Sequence, residues 1–203
     1  MAGTAERIEK IGTTGSVSAL LTENHNDVID DMAKLLPSSV QYAVVGNVGA
    51  GVDNMMTYSL PADALNADGN YVRIQGWGKA ASNATAKNLL LKFGAASVIG
   101  TLALTASQAG TWYVDAYIFR TGSDTQDFIG TVHEGVGTTL AAGKQAIIFG
   151  TATEDEDAAI TIVFQGEGGA DNDVTQEAMV VTVGRVAGDL TASKLATFAG
   201  TAY

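Results

Sequence analysis

Two neighbouring stretches decide the fold: TYSLPADALNADGNYVRIQGWGKAASNATAKNLLLKFG at residues 57–94 and GTWYVDAYIFRTGSDTQ at residues 110–126. Each is typical of a strand that is followed by a turn rich in small polar residues and by another strand. Apolar and polar side chains alternate over residues 71–77 and again over residues 112–117. Because successive side chains of a strand point to opposite faces, this alternation predicts antiparallel sheet.

Length and composition fit one β domain with a small appendage. A chain of 203 residues is long enough for a single sandwich or barrel with its own core, and too short for two large domains. The sequence is 46% hydrophobic but only 7% aromatic, and it contains 24 glycines and 2 prolines. Short strands joined by tight turns have this composition.

The charge and the residue types exclude several classes of function. A net charge of −11 without any basic block argues against binding to nucleic acid. With no cysteine, the chain has neither disulfides nor thiolate metal sites. No continuous apolar run is long enough to span a membrane, and the N-terminus lacks the pattern of a signal peptide. We therefore expect a soluble chain that is not exported.

The N-terminal region differs from the rest of the chain. Residues 1–21 show no sustained hydrophobic period and are expected to form an arm. The following TENHNDVIDDMAKLL, from Thr22, predicts a short amphipathic helix that Pro37 ends. Its apolar stripe consists of Val28, Met32, Leu35 and Leu36. A helix of about four turns is marginal alone, so this stripe is expected to pack on the β domain, on other copies or on a partner.

The remaining chain is divided into a β domain at residues 38–186 and a C-terminal tail at residues 187–203. About ten strands are expected in the domain, close to the eight of a jelly roll. Two glycine-rich stretches, 46–54 and 135–144, are predicted to be loops. Gly76 and Gly78 flank Trp77 within one strand, which indicates a bulge or the close approach of another backbone.

Several motifs in the middle third carry a resemblance to a known family. They are Tyr58-Ser-Leu-Pro-Ala-Asp-Ala-Leu65, Asp68-Gly69 before an R-I-x-x-W-G strand, Ala84-Thr-Ala-Lys87 before L-L-L-K-F-G, and Trp112 followed by F-R-T-G and Gln126. Through them the chain resembles the jelly-roll proteins of tailed-phage virions, which serve as capsid decoration and as tail or fibre tips.

This resemblance implies a fold and a function. The expected fold is an all-β antiparallel jelly-roll sandwich of about eight to ten strands, preceded by the arm and one short α-helix. The expected function is that of a capsid decoration (cement) protein, a homotrimer on the outer capsid surface that is made in the host cytoplasm. Its partner would be the major capsid protein, bound through residues 1–37. No catalysis, cofactor, nucleic acid or membrane is expected.

The sequence is compatible with two other functions. The first is a tail-fibre or spike tip that recognises host surface glycans. The second is an unrelated sugar-binding or hydrolytic sandwich, which the acidic charge and the missing catalytic set disfavour. Four aromatic residues bear on this choice: Trp77, Trp112, Tyr113 and Tyr117. We expect them to form the core or the trimer interface, and the alternative is a platform on which sugars stack.

The remaining candidate sites are weaker. His133 with Asp115 or Asp127 could form a catalytic triad, although a surface or interface role is expected for this residue and for His25. The acidic runs 154–157 and 171–173 could hold Ca²⁺, but neither matches an EF-hand and solvated turns are expected. The Gly46–Gly51 loop lacks the ending of a phosphate-binding loop. Arg120 is expected to pair with an acidic turn.

Overall fold

The structure is a computed structural model that describes residues 39–107, 109–136 and 139–185, with the backbone alone at 136 and 139–143. The predicted arm, helix and tail lie outside these residues, as do His25 and the stripe of Val28, Met32, Leu35 and Leu36. Within the described ranges the chain forms ten strands and no helix. This part of the chain accordingly offers no helix that could cross a membrane.

The strands follow one another as β1 (Ser39–Gly46), β2 (Gly51–Leu60), β3 (Tyr71–Ala80), β4 (Lys87–Phe93), β5 (Ala96–Leu104), β6 (Gly110–Gly122), β7 (Thr125–Val136), β8 (Thr139–Ala152), β9 (Ile160–Gly168) and β10 (Val174–Gly184). They form two antiparallel sheets. Sheet A has six strands in the order β1-β10-β3-β6-β7-β8, and sheet B has four in the order β2-β9-β4-β5.

This strand order is that of a jelly roll. Apart from the β4–β5 hairpin and the β6–β7–β8 meander, successive strands alternate between the two sheets, as two interlocked Greek keys require. The eight strands other than β7 and β8 make two four-stranded sheets, and the additional hairpin widens sheet A at one side. The expected antiparallel jelly-roll sandwich is therefore confirmed.

The core lies between the inner faces of the two sheets. On β3, Val72 and Ile74 are fully buried there, whereas Tyr71, Arg73 and Gln75 lie on the outer face. The predicted alternation of this strand is thus confirmed. The rings of Trp112 on β6 and Phe164 on β9 meet across the core, with centroids 5.7 Å apart.

The glycines beside Trp77 permit this close packing, as expected. A Cβ at position 76 would lie 2.5 Å from the ring of Phe164. One at position 78 would lie 1.9 Å from the carbonyl oxygen of Thr175. The bulge is on the partner strand, where the β10–β3 register shifts between Gln176 and Ala178.

Two predicted loops are wrong in their extent. Residues 51–54 belong to β2, where Gly51 pairs with Gly168 and Asn54 with Gln165 of β9. Residues 135, 136 and 139–144 belong to β7 and β8. Glycine weakens a strand because it has no side chain to pack, but the ladder of a neighbouring strand overrides that local preference.

Candidate functional site

The outer face of sheet A carries Trp77, Tyr113, Tyr117 and His133, four of the candidate residues in the sequence. One row across the sheet runs from Tyr42 on β1 through Ala178, Trp77 and Tyr113 to His133 on β7. A second row runs from Arg73 through Tyr117 and Ile129 to Phe149 on β8. The jelly roll therefore gathers aromatic and apolar groups on a face that does not belong to the core.

The four aromatic residues divide between the two faces. Trp112 is 1% exposed and its indole N–H donates to the carbonyl oxygen of Thr175 at 3.1 Å, so it is a core residue. Trp77 lies on the outer face and is 37% exposed. Tyr113 and Tyr117 are half-buried on the same outer face. The structure brings Trp77 and Tyr113 side by side on the outer face, whereas the ring of Trp112 packs in the core.

A polar network fixes the middle of this face. Arg73 donates two hydrogen bonds to the carboxylate of Asp115, at 2.8 and 2.6 Å, and its guanidinium lies 5.2 Å from the ring centre of Tyr117. The bonds to Asp115 raise the pKa of Arg73 above its ordinary value. Gln75 donates to the hydroxyl of Tyr113 at 2.8 Å. The hydroxyl of Tyr113 also donates to Asp115 at 3.3 Å. The Arg73–Asp115 pair therefore contacts both tyrosines and holds them in place.

Large apolar side chains are exposed at both edges of sheet A. We call Val40, Tyr42 and Val44, which are 68%, 85% and 72% exposed, the β1 patch. Ile129, Ile147 and Phe149, which are 52%, 70% and 80% exposed, form the β8 patch. β1 and β8 are the two outermost strands of the sheet. Exposed apolar patches of this kind mark sites of association.

The outer edge of β8 is apolar, and none of the strands that the structure describes pairs with it. β8 is 14 residues long and is the last strand of sheet A. A long edge strand presents unpaired N–H and C=O groups, and soluble proteins usually protect such an edge with charge, proline or a bulge. Between residues 145 and 152 this strand has no charged residue and no proline. It therefore resembles a surface that another molecule covers.

A pocket of about 230 Å³ opens on the outer face of sheet A, near the His133 end of the row that contains Trp77. Its lining consists of Trp77, Gly78, Thr111, Trp112, Tyr113, His133, Gly135 and Glu177. The rings of Tyr113 and His133 are 6.2 Å apart and mutually tilted. Glu177 forms an ion pair with Lys79 at its rim. The sequence did not point to His133 and Glu177 as neighbours, since only the β3–β10 and β6–β7 registers bring them together.

The geometry does not support a triad at His133. The carboxylate of Asp115 is occupied by Arg73. Asp127 lies six residues along β7 from His133, which is roughly 20 Å in an extended strand. Within the described residues no hydrogen bond joins His133 to either aspartate, and the ring that it contacts is that of Tyr113.

The acidic turn at 154–157 has a structural role. The carboxylate of Glu154 accepts hydrogen bonds from the backbone N–H groups of Ala95 and Ala96, at 2.7 and 3.0 Å. Glu156 is buried, where it accepts a hydrogen bond from Gln126 at 2.7 Å and lies 3.1 Å from Arg120. The predicted pairing of Arg120 with an acidic turn is thus confirmed. Among the residues that the structure describes, no cluster of His, Cys, Asp and Glu is arranged to hold a metal.

The second acidic run, 171–173, stabilises the loops at the opposite end of the sandwich. Asp173 is buried and accepts hydrogen bonds from the backbone N–H groups of Gly169 and Ala170, at 2.8 and 2.9 Å, and from the side-chain amide of Asn83. Burial alone would raise the pKa of Asp173, but the bonds from Asn83, Gly169, Ala170 and Thr85 outweigh it and hold this pKa below its ordinary value. The carboxylate is a fixed acceptor between loops.

The glycine-rich loop after β1 belongs to the same end. Its Asn47 donates and accepts hydrogen bonds with the β9–β10 turn, and the N–H of Gly49 donates to Asp171 at 2.6 Å. These groups therefore hold the loop against the β9–β10 turn.

Comparisons with known proteins give only distant likenesses. No family model matches the chain, and no curated protein matches it. One similar solved structure is the CBM2 module of the evolved Dit of Lactobacillus casei BL23 phage J-1. It shares 9% identity at a TM-score of 0.32, over 73% of this chain and 80% of that one.

Another similar structure is that of T=1 particles derived from infectious bursal virus. It shares 10% identity at a TM-score of 0.25, over 80% of this chain and 47% of that one. Both solved structures come from viruses, one from a phage and one from virus-derived particles. At these TM-scores neither likeness bears on how the protein works.

Proposed function

We propose that the protein is a structural component of a tailed-phage virion, namely a capsid decoration protein that forms homotrimers on the outer surface of the head. It would be made in the host cytoplasm and bind the major capsid protein. The observation that carries this proposal is the pair of exposed apolar patches at opposite edges of sheet A. The resemblance of the middle third of the sequence to phage jelly-roll proteins supports it.

The placement of the patches favours a ring. The β1 patch and the β8 patch differ in sequence and lie on opposite edges, so a contact between them is heterologous, and a heterologous contact that closes generates a ring such as a trimer. Burying a side chain such as Phe149 is worth about 1.5–3 kcal/mol. Several such side chains at each contact oppose the mutual repulsion of chains that each carry a net charge of −11.

Attachment to the head is assigned to residues 1–37. The stripe of Val28, Met32, Leu35 and Leu36 gives this segment one apolar side, which would pack on shell subunits while the jelly roll faces outward. Stable contacts usually bury about 1,600 Å². Repeated over the head, many contacts of that size would resist the internal pressure of packed DNA.

The proposed role is mechanical and needs no catalysis or cofactor. Supporting it, the carboxylates of Asp115, Glu154, Glu156 and Asp173 are engaged in hydrogen bonds that hold the fold. Binding to nucleic acid or to a membrane is also not part of the proposal.

Co-sedimentation with purified phage heads tests the assignment. The full chain is expected to pellet with the heads as a trimer, whereas a chain without residues 1–36 remains a folded trimer in the supernatant. Met32→Asp is expected to lose binding, and Ala33→Asp, placed off the stripe, to retain it. If the truncated chain still decorates heads, attachment through the N-terminal segment is wrong.

The alternative of a tail-fibre or spike tip gives the opposite distribution. A tip would bind host cells through surface glycans and would not decorate heads at high copy number. Labelled protein that is incubated with heads and with host cells in parallel separates the two functions. Saturable binding to cells and none to heads would replace decoration by receptor recognition.

A further inference from the structure

The pocket beside Trp77 has a lining that a purely structural face does not need. Tryptophan is usually well buried in proteins, yet Trp77 is 37% exposed on the outer face of sheet A and forms one wall of this pocket. Tyr113 and His133, the next residues in the same row across the sheet, also line it. Gly135 leaves part of this space open, because it lies on the outer face and lacks a side chain.

Polar groups converge on the same space. Glu177 and Thr111 line it together with the imidazole of His133. A carboxylate accepts strong hydrogen bonds from hydroxyl groups, while a threonine hydroxyl and an imidazole can each donate and accept. Aromatic walls with a few convergent polar groups are typical of a small-molecule site.

The size and the charge of the pocket restrict the ligand. At about 230 Å³ it is smaller than the roughly 300–1,000 Å³ of sites for drug-sized ligands, so it fits about one six-membered ring. The net charge of −11 disfavours an anionic ligand, and Lys79 is already paired with Glu177. A neutral pyranose fits both limits, since its C–H face packs on an aromatic ring and its hydroxyl rim reaches polar groups.

We infer that this pocket binds one neutral pyranose ring, such as the terminal residue of a surface glycan. Trp77 and Tyr113 supply the apolar contact, and Glu177, His133 and Thr111 bond the hydroxyl groups. This activity goes beyond attachment to the head and does not depend on it. A decoration protein with such a site would bind glycan-coated surfaces with low affinity per copy, and the many copies on one particle would raise the overall avidity.

The experiment uses the full chain without heads, so its outcome is independent of shell binding. Methyl β-glucopyranoside, methyl β-galactopyranoside and N-acetylglucosamine are titrated separately while tryptophan fluorescence is recorded. The chain has only two tryptophans, Trp77 and Trp112, and both line the pocket, so tryptophan emission reports on its occupancy. With about a dozen non-hydrogen atoms in the ligand, a Kd on the order of 1 mM is expected for at least one sugar.

Two variants and one control locate the site. Glu177→Gln removes the charged acceptor and is expected to weaken binding about ten-fold. Gly135→Val fills the pocket and is expected to abolish binding. The atom nearest to the added Cβ is the hydroxyl oxygen of Thr111, at 3.1 Å, and this side chain can rotate away. Glu167→Gln, a matched change on sheet B where Glu167 bonds Asn88, is expected to leave the Kd unchanged.

Three results would overturn the inference. The first is the absence of a saturable change with all three sugars up to about 100 mM, a hundred times the expected Kd. The second is a response that persists unchanged in Gly135→Val. The third is a fluorescence change that follows protein concentration and not sugar concentration, which would show that another copy of the chain fills the pocket.

Discussion

Gly78 shows how closely single residues are fitted in this sandwich. A Cβ at this position would lie 1.9 Å from the carbonyl oxygen of Thr175 and 2.7 Å from the ring of Trp112. We therefore expect Gly78→Ala to force β3 and β10 apart and to lower the free energy of unfolding by about 1–3 kcal/mol. The midpoint of urea unfolding measures this loss.

Gly100 on β5 is the matched control, because a Cβ there has no atom within 4 Å. Gly100→Ala is expected to change stability by less than about 1 kcal/mol, in the stabilising direction, since alanine restricts the unfolded chain. Equal losses in the two variants would mean that the contact at Gly78 is not the cause.

Asp173 gives the stability of the protein a defined dependence on pH. Its folded pKa lies below its ordinary value of 3.8, so the unfolded chain binds more protons between the two pKa values. The contribution of this group is thus complete above the unfolded pKa and is lost as pH falls through the folded pKa. Asp173→Asn is expected to cost about 1–3 kcal/mol at neutral pH, because the loop N–H groups lose a charged acceptor.

Urea unfolding at several pH values between neutral and acid measures both effects. The difference between the wild type and Asp173→Asn should shrink as the pH falls below the ordinary value. Asp127→Asn, at an exposed position on β7, is the control and should leave the curve unchanged. A constant difference at every pH would show that the loss comes from packing and not from charge.

At the scale of single elements, the acidic turn after β8 joins the two sheets. Glu154 caps the β4–β5 turn of sheet B through two backbone N–H groups, while its own backbone bonds to Gln126 of sheet A. Glu154→Ala is expected to lower stability by about 1–3 kcal/mol because these two N–H groups of the turn lose a charged acceptor. Asp157→Ala, in the same turn and exposed, should cost less than about 0.5 kcal/mol.

Thermal unfolding with and without Ca²⁺ tests this assignment further. Because the carboxylates of Glu154 and Glu156 are already bonded within the protein, addition of Ca²⁺ is expected to leave Tm unchanged. A rise in Tm that Asp157→Ala abolishes would instead identify the turn as a cation site.

The strands differ in how well the sequence predicts them. The alternation in β3 and β6 predicts both faces correctly, because each strand has one core face and one outer face. The sequence predicts a loop at the glycine-rich start of β2, since no local pattern shows that Gly51 pairs with Gly168 across the sheet. β8 begins earlier than the sequence predicts for a related reason, because its first residues are stabilised by pairing with β7.

The candidate site was less accessible to sequence reasoning than the strands. Trp77 and Tyr113 are candidates in the sequence as aromatic residues on alternating strands, but the sequence alone does not show that they lie on the outer face while Trp112 packs in the core. Glu177 and His133 join them only through strand registers between distant parts of the chain. The exposed Ile147 and Phe149 did leave a signal, since an uncharged apolar run without alternation is unusual at a sheet edge.

At the scale of the whole molecule, the jelly roll separates two kinds of surface. At the ends of the sandwich lie polar loops that are held by hydrogen bonds, whereas the two edges of sheet A expose the β1 and β8 patches. Extending sheet A by the β7–β8 hairpin places the second patch far from the first. A face-to-face contact of one patch with its own copy would give a dimer, and a contact between unlike patches gives a ring.

Mixing two variants distinguishes these assemblies. Tyr42→Glu disables the β1 patch and Phe149→Glu disables the β8 patch, and each variant alone is expected to be a monomer in analytical ultracentrifugation. In a one-to-one mixture each chain retains the patch that the other lacks, so one heterologous contact can form between the two variants. The mixture is therefore expected to yield heterodimers, which cannot close into a trimer. Val52→Glu, an exposed apolar position on sheet B, is the control and should remain trimeric. Should the mixture stay monomeric while the wild type is a trimer, the two patches do not meet each other and another surface must hold the ring together.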